Sequence, residues 1–362
     1  MTALPIAAIF SCCGEKTDSV RNYNGVISIS ASDNEHPAPG SAIVDSVSFI
    51  NLHYSLAGVE KVIFDGEGIY LLSDRYGIPK VVKFDFNGIP IAKYGAFGHG
   101  KNEYTRISDF DVHHDTVYLH DGHSHKMLLY DSSGNFMASH GTNAHAQAFI
   151  IASTDTVVFM PLKYKADEEL AYADFTLSDY KPMLYKKPNA KDTYASFNYF
   201  TRCQDGKILY YHSPYDEIHL IDDGRISDSY KIDFGDKNLP EEAVDDFGEA
   251  LDKNIADEYC YVDDCPVMAG RYIIGRFSNR GAPATFVYDT ATSKTAFKEY
   301  RQSGMTITDI VNPVTVYGNK VIGVIDASYM EYLERPELLP ESTKEHLQNG
   351  GFSLALYSIC AV

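Results

Sequence analysis

The sequence predicts an all-β fold, a six-bladed β-propeller with short helical insertions. Three observations lead to this prediction: the aromatic composition, a recurring set of turn signals, and a strand layout that repeats along the chain. The 362 residues include 27 Tyr and 19 Phe but no Trp. Aromatic and β-branched side chains favour strands because they fit a pleated, half-buried surface.

The repeat is clearest in two consecutive units. Strand-like runs of the first unit lie at 61–64, 68–73, 80–85 and 90–94, and those of the second at 109–112, 116–120, 126–131 and 136–140. Asp65-Gly66 and Asn87-Gly88 separate runs of the first unit, and such pairs tolerate the positive φ angles of tight hairpins. Four short antiparallel strands every ~45 residues are typical of propeller blades.

Later units follow the same plan with less regular spacing. They cover 146–186, 196–235, 261–300 and the chain from 313 onward, which brings the total to six blades. We expect 42–52 and 352–359 to lie in the same blade, because propellers commonly join their two ends in this way. Two helix-prone segments, 239–259 and 328–350, interrupt the pattern. Each is expected to be a surface insertion, and the first either covers one face as a lid or packs against the rim.

The charge balance excludes one class of partner. The chain has 31 Lys and Arg against 50 Asp and Glu, a net charge of −19. Such a surface repels phosphate backbones, so nucleic acid is not expected as a partner. After the N-terminus, no apolar run approaches the ~20 residues of a membrane-spanning helix.

The N-terminus predicts export. A short apolar run ends at Ser11-Cys12 and is followed by polar residues, an order typical of a bacterial lipoprotein signal. We therefore divide the chain into a truncated lipoprotein signal (1–11), a flexible tether (12–40) with a short strand near 26–30, and the propeller (41–362). Cys12 is the predicted lipidation site, which anchors the protein in the bacterial cell envelope, on the periplasmic side or the outer membrane surface. The alternative is an ordinary buried N-terminal strand.

The segment 84–112 identifies a family resemblance. Six of its residues fit an aromatic-Asp turn followed by a glycine-rich loop and a strand with Asp-Phe: Gly98, Gly100, Glu103, Tyr104, Asp109 and Phe110. On these residues the chain resembles the six-bladed β-propeller lipoproteins of Bacteroidetes, which are related to NHL-repeat propellers. Lys101 and Asn102 stand where that family usually has Pro-Gly. The resemblance implies the fold and a cell-envelope location, and it implies no settled activity.

A ligand-binding site is predicted where loops of several blades converge. Arginine offers planar donors for a carboxylate, a sulfate or a sugar acid, and tyrosine offers a stacking face with a hydroxyl group. The candidate ligand-binding residues are Arg75, Glu103, Tyr104, Arg106, Arg202 and Arg276. The alternative is that the arginines are independent surface residues, that Glu103 satisfies backbone N–H groups in its turn, and that Tyr104 packs between blades.

A metal site is a second hypothesis. His120, His123 and His125 are candidate ligands, because imidazoles near carboxylates bind transition ions. The alternative is that they are polar residues at a hairpin tip and a blade edge. No cofactor is predicted, and a divalent metal in the central channel remains open. The sequence contains no nucleophile elbow, no P-loop and no dinucleotide-binding fingerprint.

Two function classes follow. The first is a non-enzymatic cell-envelope module that binds a carbohydrate, a peptide or a cell-envelope protein through one propeller face. The second is a metal-dependent hydrolase or lyase, similar to propeller lactonases, with its site in the central channel. In either case the only expected contact with the membrane is the lipid anchor.

Overall fold

The computed structural model describes residues 23–30, 43–73, 77–162, 167–187, 191 and 198–360. They form six sheets of at least four strands each, in which consecutive strands pair antiparallel. The innermost strand of each sheet contacts the innermost strand of the next, and the sixth contacts the first, so the ring is closed. The predicted six-bladed β-propeller is confirmed.

The strands are numbered in chain order and grouped by blade. Blade one contains β3 (Lys61–Asp65), β4 (Gly68–Ser73), β5 (Lys80–Phe84) and β6 (Pro90–Tyr94). Blade two contains β9 (Ile107–His113), β10 (Thr116–Asp121), β11 (Lys126–Asp131) and β12 (Phe136–Gly141). Blade three contains β13 (Ala146–Ser153), β14 (Thr156–Pro161), β15 (Glu168–Ala173) and β16 (Lys181–Tyr185).

The other three blades are less uniform. Blade four contains β1 (Gly25–Ser28), β17 (Phe200–Arg202), β18 (Ile208–Tyr211), β19 (Glu217–Asp222) and β20 (Arg225–Asp233). Blade five contains β21 (Cys260–Val262), β22 (Val267–Ala269), β23 (Tyr272–Asn279), β24 (Ala282–Asp289) and β25 (Lys294–Glu299). Blade six contains β2 (Val44–Asn51), β26 (Pro313–Tyr317), β27 (Lys320–Ile325) and β28 (Ser353–Ile359). A two-stranded parallel pair, β7 (Ala96–Phe97) and β8 (Glu103–Tyr104), lies in the link between blades one and two.

Aspartate side chains explain why the outer turns recur in the sequence. Asp85 accepts hydrogen bonds from the backbone N–H groups of Asn87 and Ile89, each 2.9 Å long. Asp131 does the same in blade two, toward Ser133 and Asn135. Each carboxylate thus replaces backbone partners that a turn leaves unsatisfied.

Both chain ends are held by strands. β2 pairs antiparallel with β28 from Val44 to Asn51, so the predicted joining of the two ends in one blade is confirmed. The short strand expected near 26–30 is present as β1, which adds to the outer edge of blade four in parallel with β20. Ile27 and Ile29 are buried there, between blades four and five, and this part of the N-terminal segment packs on the propeller.

Chain direction defines two faces. Each blade follows a four-strand antiparallel plan, in which β21 and β22 share the first position of blade five and β1 is added at the outer edge of blade four. The chain therefore leaves every blade on the face where it entered. We call this the upper face; it carries the links between blades and the turns between second and third strands. The lower face carries the remaining hairpin turns, such as those at Asp85 and Asp131.

Most of the core lies between neighbouring blades. Between blades one and two, buried Tyr70 and Tyr94 pack near Phe110 and Tyr130, and the ring centroids of Tyr94 and Tyr130 are 6.0 Å apart. Each blade therefore buries a face that only its neighbour can cover, and the blades stabilise one another.

Short helices occur in the two predicted insertions. The first holds α1 (Glu241–Asp245) and α2 (Phe247–Asp252), and the second holds α3 (Tyr329–Tyr332) and α4 (Glu341–Gln348). Single 3₁₀ turns lie at Gly235–Lys237, Ala256–Glu258 and Pro336–Leu338. Phe247 packs edge-on against Tyr261 at 4.9 Å, and α4 contacts β2 and β28. Both insertions thus pack against blades.

Candidate functional site

The central channel is bridged by buried ion pairs. Lys61 on β3 donates hydrogen bonds to both carboxylate oxygens of Asp109 on β9, at 2.9 and 3.1 Å. Both side chains are almost fully buried. Asp109 also accepts a 3.0 Å hydrogen bond from the N–H of Phe149 on β13. One carboxylate therefore connects the inner strands of blades one, two and three.

A second bridge repeats this arrangement two residues along β9. Asp111 accepts a 2.7 Å hydrogen bond from the N–H of Ile151 and a 2.6 Å ion pair from Arg202. The Arg202 guanidinium also donates to the carbonyl of Ile151 at 2.7 Å. Its charge is therefore neutralised inside the channel, where it links blade four to blades two and three.

Asn198 crosses the channel at its upper end. Its side-chain amide donates to the carbonyl of Glu60 at 2.8 Å, which joins blade four to blade one on the opposite side of the ring. Its backbone N–H donates to Asp264 at 2.9 Å, between β21 and β22 of blade five. These contacts place protein groups across the upper end of the channel.

Asp263 and Asp264 form the acidic side of this mouth. Arg276 donates to Asp263 through Nε and Nη2, each at 2.8 Å, and to the Asn312 side chain at 3.1 Å. Enclosure of its carboxyl group raises the pKa of Asp264 to about 6, although hydrogen bonds from the Asn198 and Cys265 N–H groups favour the charged form. A carboxyl with a raised pKa can exchange a proton near neutral pH.

Of the predicted ligand-binding residues that the structure describes, two lie at the channel. Arg202 and Arg276 lie there, each paired with a carboxylate. Arg106 is exposed on the upper face, in the link between blades one and two. Arg75, like the predicted lipidation site Cys12, lies outside the described residues.

Glu103 and Tyr104 make packing contacts. The Glu103 carboxylate accepts a 2.7 Å hydrogen bond from the N–H of Gly100, and the buried Tyr104 hydroxyl donates to the carbonyl of Pro79 at 2.6 Å. Gly98 has a φ of 159°, which strains any larger residue, and an added Cβ would lie 2.1 Å from the Glu103 carboxylate and displace it. These contacts match the alternative given above, in which both residues shape the turn and the blade interface.

The three candidate histidines do not converge. His120 is fully buried, whereas His123 and His125 are exposed on the following turn. In the described parts of the chain, no three His, Cys, Asp or Glu side chains are arranged to hold a metal ion.

Sequence reasoning missed the residues that bridge the channel. Lys61, Asp109, Asp111, Asn198 and Asp264 were not predicted as site residues. One signal was present: Asp109 and Asp111 alternate with Phe110 and Val112 on β9, and alternation places the two carboxylates on one face of the strand. On β9 this face meets the N–H groups of Phe149 and Ile151 on the neighbouring inner strand, β13.

Comparison with known protein families assigns the chain to one of them. The family model called "Domain of unknown function (DUF4934)" matches residues 24–350. The chain belongs to the DUF4934 family. A search of curated proteins found no match. In the described part of this DUF4934 protein, no helix is long and apolar enough to span a bilayer.

Solved structures share the fold of this DUF4934 protein at low identity. A Bacteroides fragilis protein described as exported superposes with a TM-score of 0.74 at 14% identity, over 93% of this chain and all of that one. A member of the DUF4221 family from Bacteroides vulgatus has a TM-score of 0.51 at 10% identity, over 88% of this chain and 97% of that one. These likenesses concern the fold alone.

His120 is expected to make the stability of the domain fall at acid pH. Its ring lies edge-on to Phe149, and neither ring nitrogen has a hydrogen-bond partner among the described residues. Burial lowers the pKa of His120 to about 4. Below about pH 6.5 His120 is therefore protonated in the unfolded chain but stays neutral in the folded chain. Because protonation then favours the unfolded state, the free energy of unfolding falls as the pH drops from ~6.5 toward ~4.

The variant His120→Leu isolates this effect. Between about pH 7 and pH 4.5, wild type is expected to lose on the order of 2 kcal/mol more stability than the variant. Urea titrations at several pH values measure the difference, and His123→Leu, at an exposed position, is the matched control. Parallel pH profiles for wild type and His120→Leu would show that His120 is not the responsible group.

Proposed function

We propose that the protein is an exported, lipid-anchored, non-enzymatic binding module that recognises its ligand on the upper face beside Arg106. The observation that carries the proposal is the cross-channel contact of Asn198 with Glu60. Because this contact crosses the upper end of the channel, we place recognition on the exposed surface of the upper face. Propellers bring loops from every blade together on such a face.

Strand pairing and a hydrogen bond fix the backbone of the link between blades one and two. β7 and β8 pair Phe97 with Tyr104, and the Tyr104 hydroxyl fixes this pair to the carbonyl of Pro79. Phe97 is 59% exposed, and Arg106 is exposed two residues after Tyr104. An aromatic face beside a guanidinium on a fixed backbone suits a ligand with both an apolar surface and an anionic group.

The anchor is part of the same proposal and is supported by the sequence alone. Acylation of Cys12 would retain the propeller at the membrane, because Ser11-Cys12 ends the apolar run and a polar segment follows. Cys12→Ala should abolish incorporation of labelled fatty acid, whereas Cys13→Ala should not. Equal labelling of the two variants would exclude Cys12 as the acceptor.

Binding to the upper face is tested by charge reversal. The protein is applied to an array of envelope and dietary oligosaccharides and of peptides, and the strongest signal is measured again with Arg106→Glu. The signal should fall at least about tenfold, because the variant repels the group that Arg106 binds. Arg225→Glu, an exposed arginine on the lower face, is the control and should bind like wild type. Equal loss in both variants would contradict a site on the upper face.

A second candidate is a hydrolase or lyase with its site in the channel. The observation that favours it is the raised pKa of Asp264, about 6, beside the charged pair of Arg276 and Asp263. Perturbed carboxyl groups of this kind occur at catalytic sites. This candidate requires that the bound compound be recovered chemically changed, and that Asp264→Asn abolish the change. A bound compound recovered intact supports the binding module.

A further inference from the structure

A cluster of exposed basic side chains lies on the upper face over blade two. It consists of Arg106, His123, His125 and His145, all exposed, and we call it the histidine patch. The rings of His125 and His145 are in edge contact, with centroids 4.0 Å apart. Among the described residues, no ion pair holds any of these four side chains.

Hydrogen bonds make the patch continuous. The hydroxyl of Thr105, next to Arg106, lies 2.8 Å from that of Ser124, which stands between His123 and His125. The N–H of Thr142 donates to the carbonyl of His125 at 2.9 Å and thereby joins the link that carries His145. The three segments of the patch are thus connected through their backbones and short side chains.

The acidic residue beneath the patch is already satisfied. Asp121 is fully buried and accepts hydrogen bonds from the N–H groups of Thr105, His123 and Ser124, at 2.6, 3.1 and 2.9 Å. The Asp121 carboxylate therefore stabilises the backbone segments that carry the patch. Lys126, next to His125, donates to the carbonyls of Gly100 and Glu103 and fixes the neighbouring loop.

The net charge of the whole chain contrasts with the side chains of this patch. The chain has a net charge of −19, so a polyanion is repelled from the surface in general. The histidine patch places one arginine and three imidazoles together against that background. An anionic ligand therefore has a preferred docking position here.

We propose that the histidine patch binds an acidic carbohydrate, whose carboxylate or sulfate groups contact Arg106 and the imidazoles while a sugar ring lies against Phe97. This inference rests on the proposed function and names its ligand class. Phe97 favours a carbohydrate over an acidic protein, because an exposed aromatic face on a fixed strand stacks against the apolar face of a sugar ring.

Binding is expected to tighten at weakly acidic pH. Imidazole is the side chain that changes charge between pH 5 and pH 8, and the patch carries three imidazoles beside Arg106. Among the described residues, the other titratable or charged groups packed against the patch are His120 and Asp121 on β10, Lys126 on β11, and Glu103 on β8. Burial keeps His120 neutral through this range, since its pKa is lowered to about 4.

The test titrates oligogalacturonate into the full chain by calorimetry at about pH 7.5 and about pH 5.5, at constant ionic strength. We expect affinity to rise about tenfold at the lower pH. The triple variant His123→Gln, His125→Asn, His145→Gln should lose that rise. Asn is used at 125 because His125 has a φ of 52°, which Asn tolerates. His114→Asn, at an exposed lower-face turn with a φ of 46°, is the matched control.

The outcomes separate this inference from the proposed function. Neutral galactose oligomers should not bind, and polyglutamate should bind at least about tenfold more weakly than oligogalacturonate. Equal binding of polyglutamate would indicate an acidic protein partner and overturn the carbohydrate assignment. If oligogalacturonate fails to bind while Arg106→Glu still abolishes the strongest array signal, the acidic-carbohydrate assignment is wrong, but recognition beside Arg106 on the upper face is supported. If Arg106→Glu has no effect on any array signal, both the proposed function and the acidic-carbohydrate assignment are wrong.

Discussion

Deletion of Phe352–Val362 is expected to abolish the cooperative unfolding of the whole propeller. The deleted segment contains β28, the strand that pairs with β27 on one side and with β2 on the other. Leu354, Ala355 and Tyr357 are completely buried there. Burial of one large apolar side chain contributes roughly 1.5–3 kcal/mol, and a whole domain is stable by only ~5–15 kcal/mol. The loss of β28 from the middle of the sheet and the release of β2 therefore exceed the stability available.

The deletion is compared with one at an outer edge. Removal of residues 23–30 takes away β1, which pairs with only one strand, and should lower the melting temperature while a single transition remains. Leu354→Ala provides a folded intermediate case, with an expected loss of about 2–5 kcal/mol. Circular dichroism melts measure all three. An unchanged melting temperature after deletion of Phe352–Val362 would show that β28 does not close the ring.

The fold was predictable because its signals are local. Asp85 and Asp131 cap turns within five residues of themselves, so the turn sequence itself carries the blade period. Prediction was less accurate where the turn chemistry is irregular. Within the unit predicted at 146–186, β15 spans Glu168–Ala173, because Asp174 caps a turn that places Leu177 at a φ of 53°. The strand ends where that turn begins.

The channel contacts were not predictable because their partners are distant in sequence. Arg202 and Asp111 are 91 residues apart, and Asn198 and Glu60 are 138 apart. Sequence reasoning grouped Arg202 and Arg276 as free ligand-binding groups, and only the closed ring shows the carboxylate that each one contacts. The histidines show the same limit: alternation relates neighbours on a strand, but the turn after Asp121 separates His120 from His123 and His125.

Asp109→Ala is expected to cost about 3–5 kcal/mol of stability, because it leaves a buried lysine without its partner. Lys61 and Asp109 are 94–97% buried, and water cannot easily solvate the ammonium group that remains. The substitution also removes the acceptor for the N–H groups of Phe110 and Phe149. Loss of such bonds leaves buried donors unsatisfied, at roughly 1–3 kcal/mol each. Urea titration measures the change in the free energy of unfolding.

The matched control distinguishes a lost charge partner from a lost side chain. In the double variant Lys61→Met, Asp109→Leu, no unpaired charge remains, and replacement of a buried ion pair by apolar groups is often neutral or stabilising. The double variant should therefore be more stable than Asp109→Ala by at least about 2 kcal/mol, although the N–H groups of Phe110 and Phe149 stay unsatisfied in both. If the double variant is as unstable as Asp109→Ala, the carboxylate acts through its backbone hydrogen bonds. The pairing with Lys61 would then contribute little to the connection between blades one, two and three.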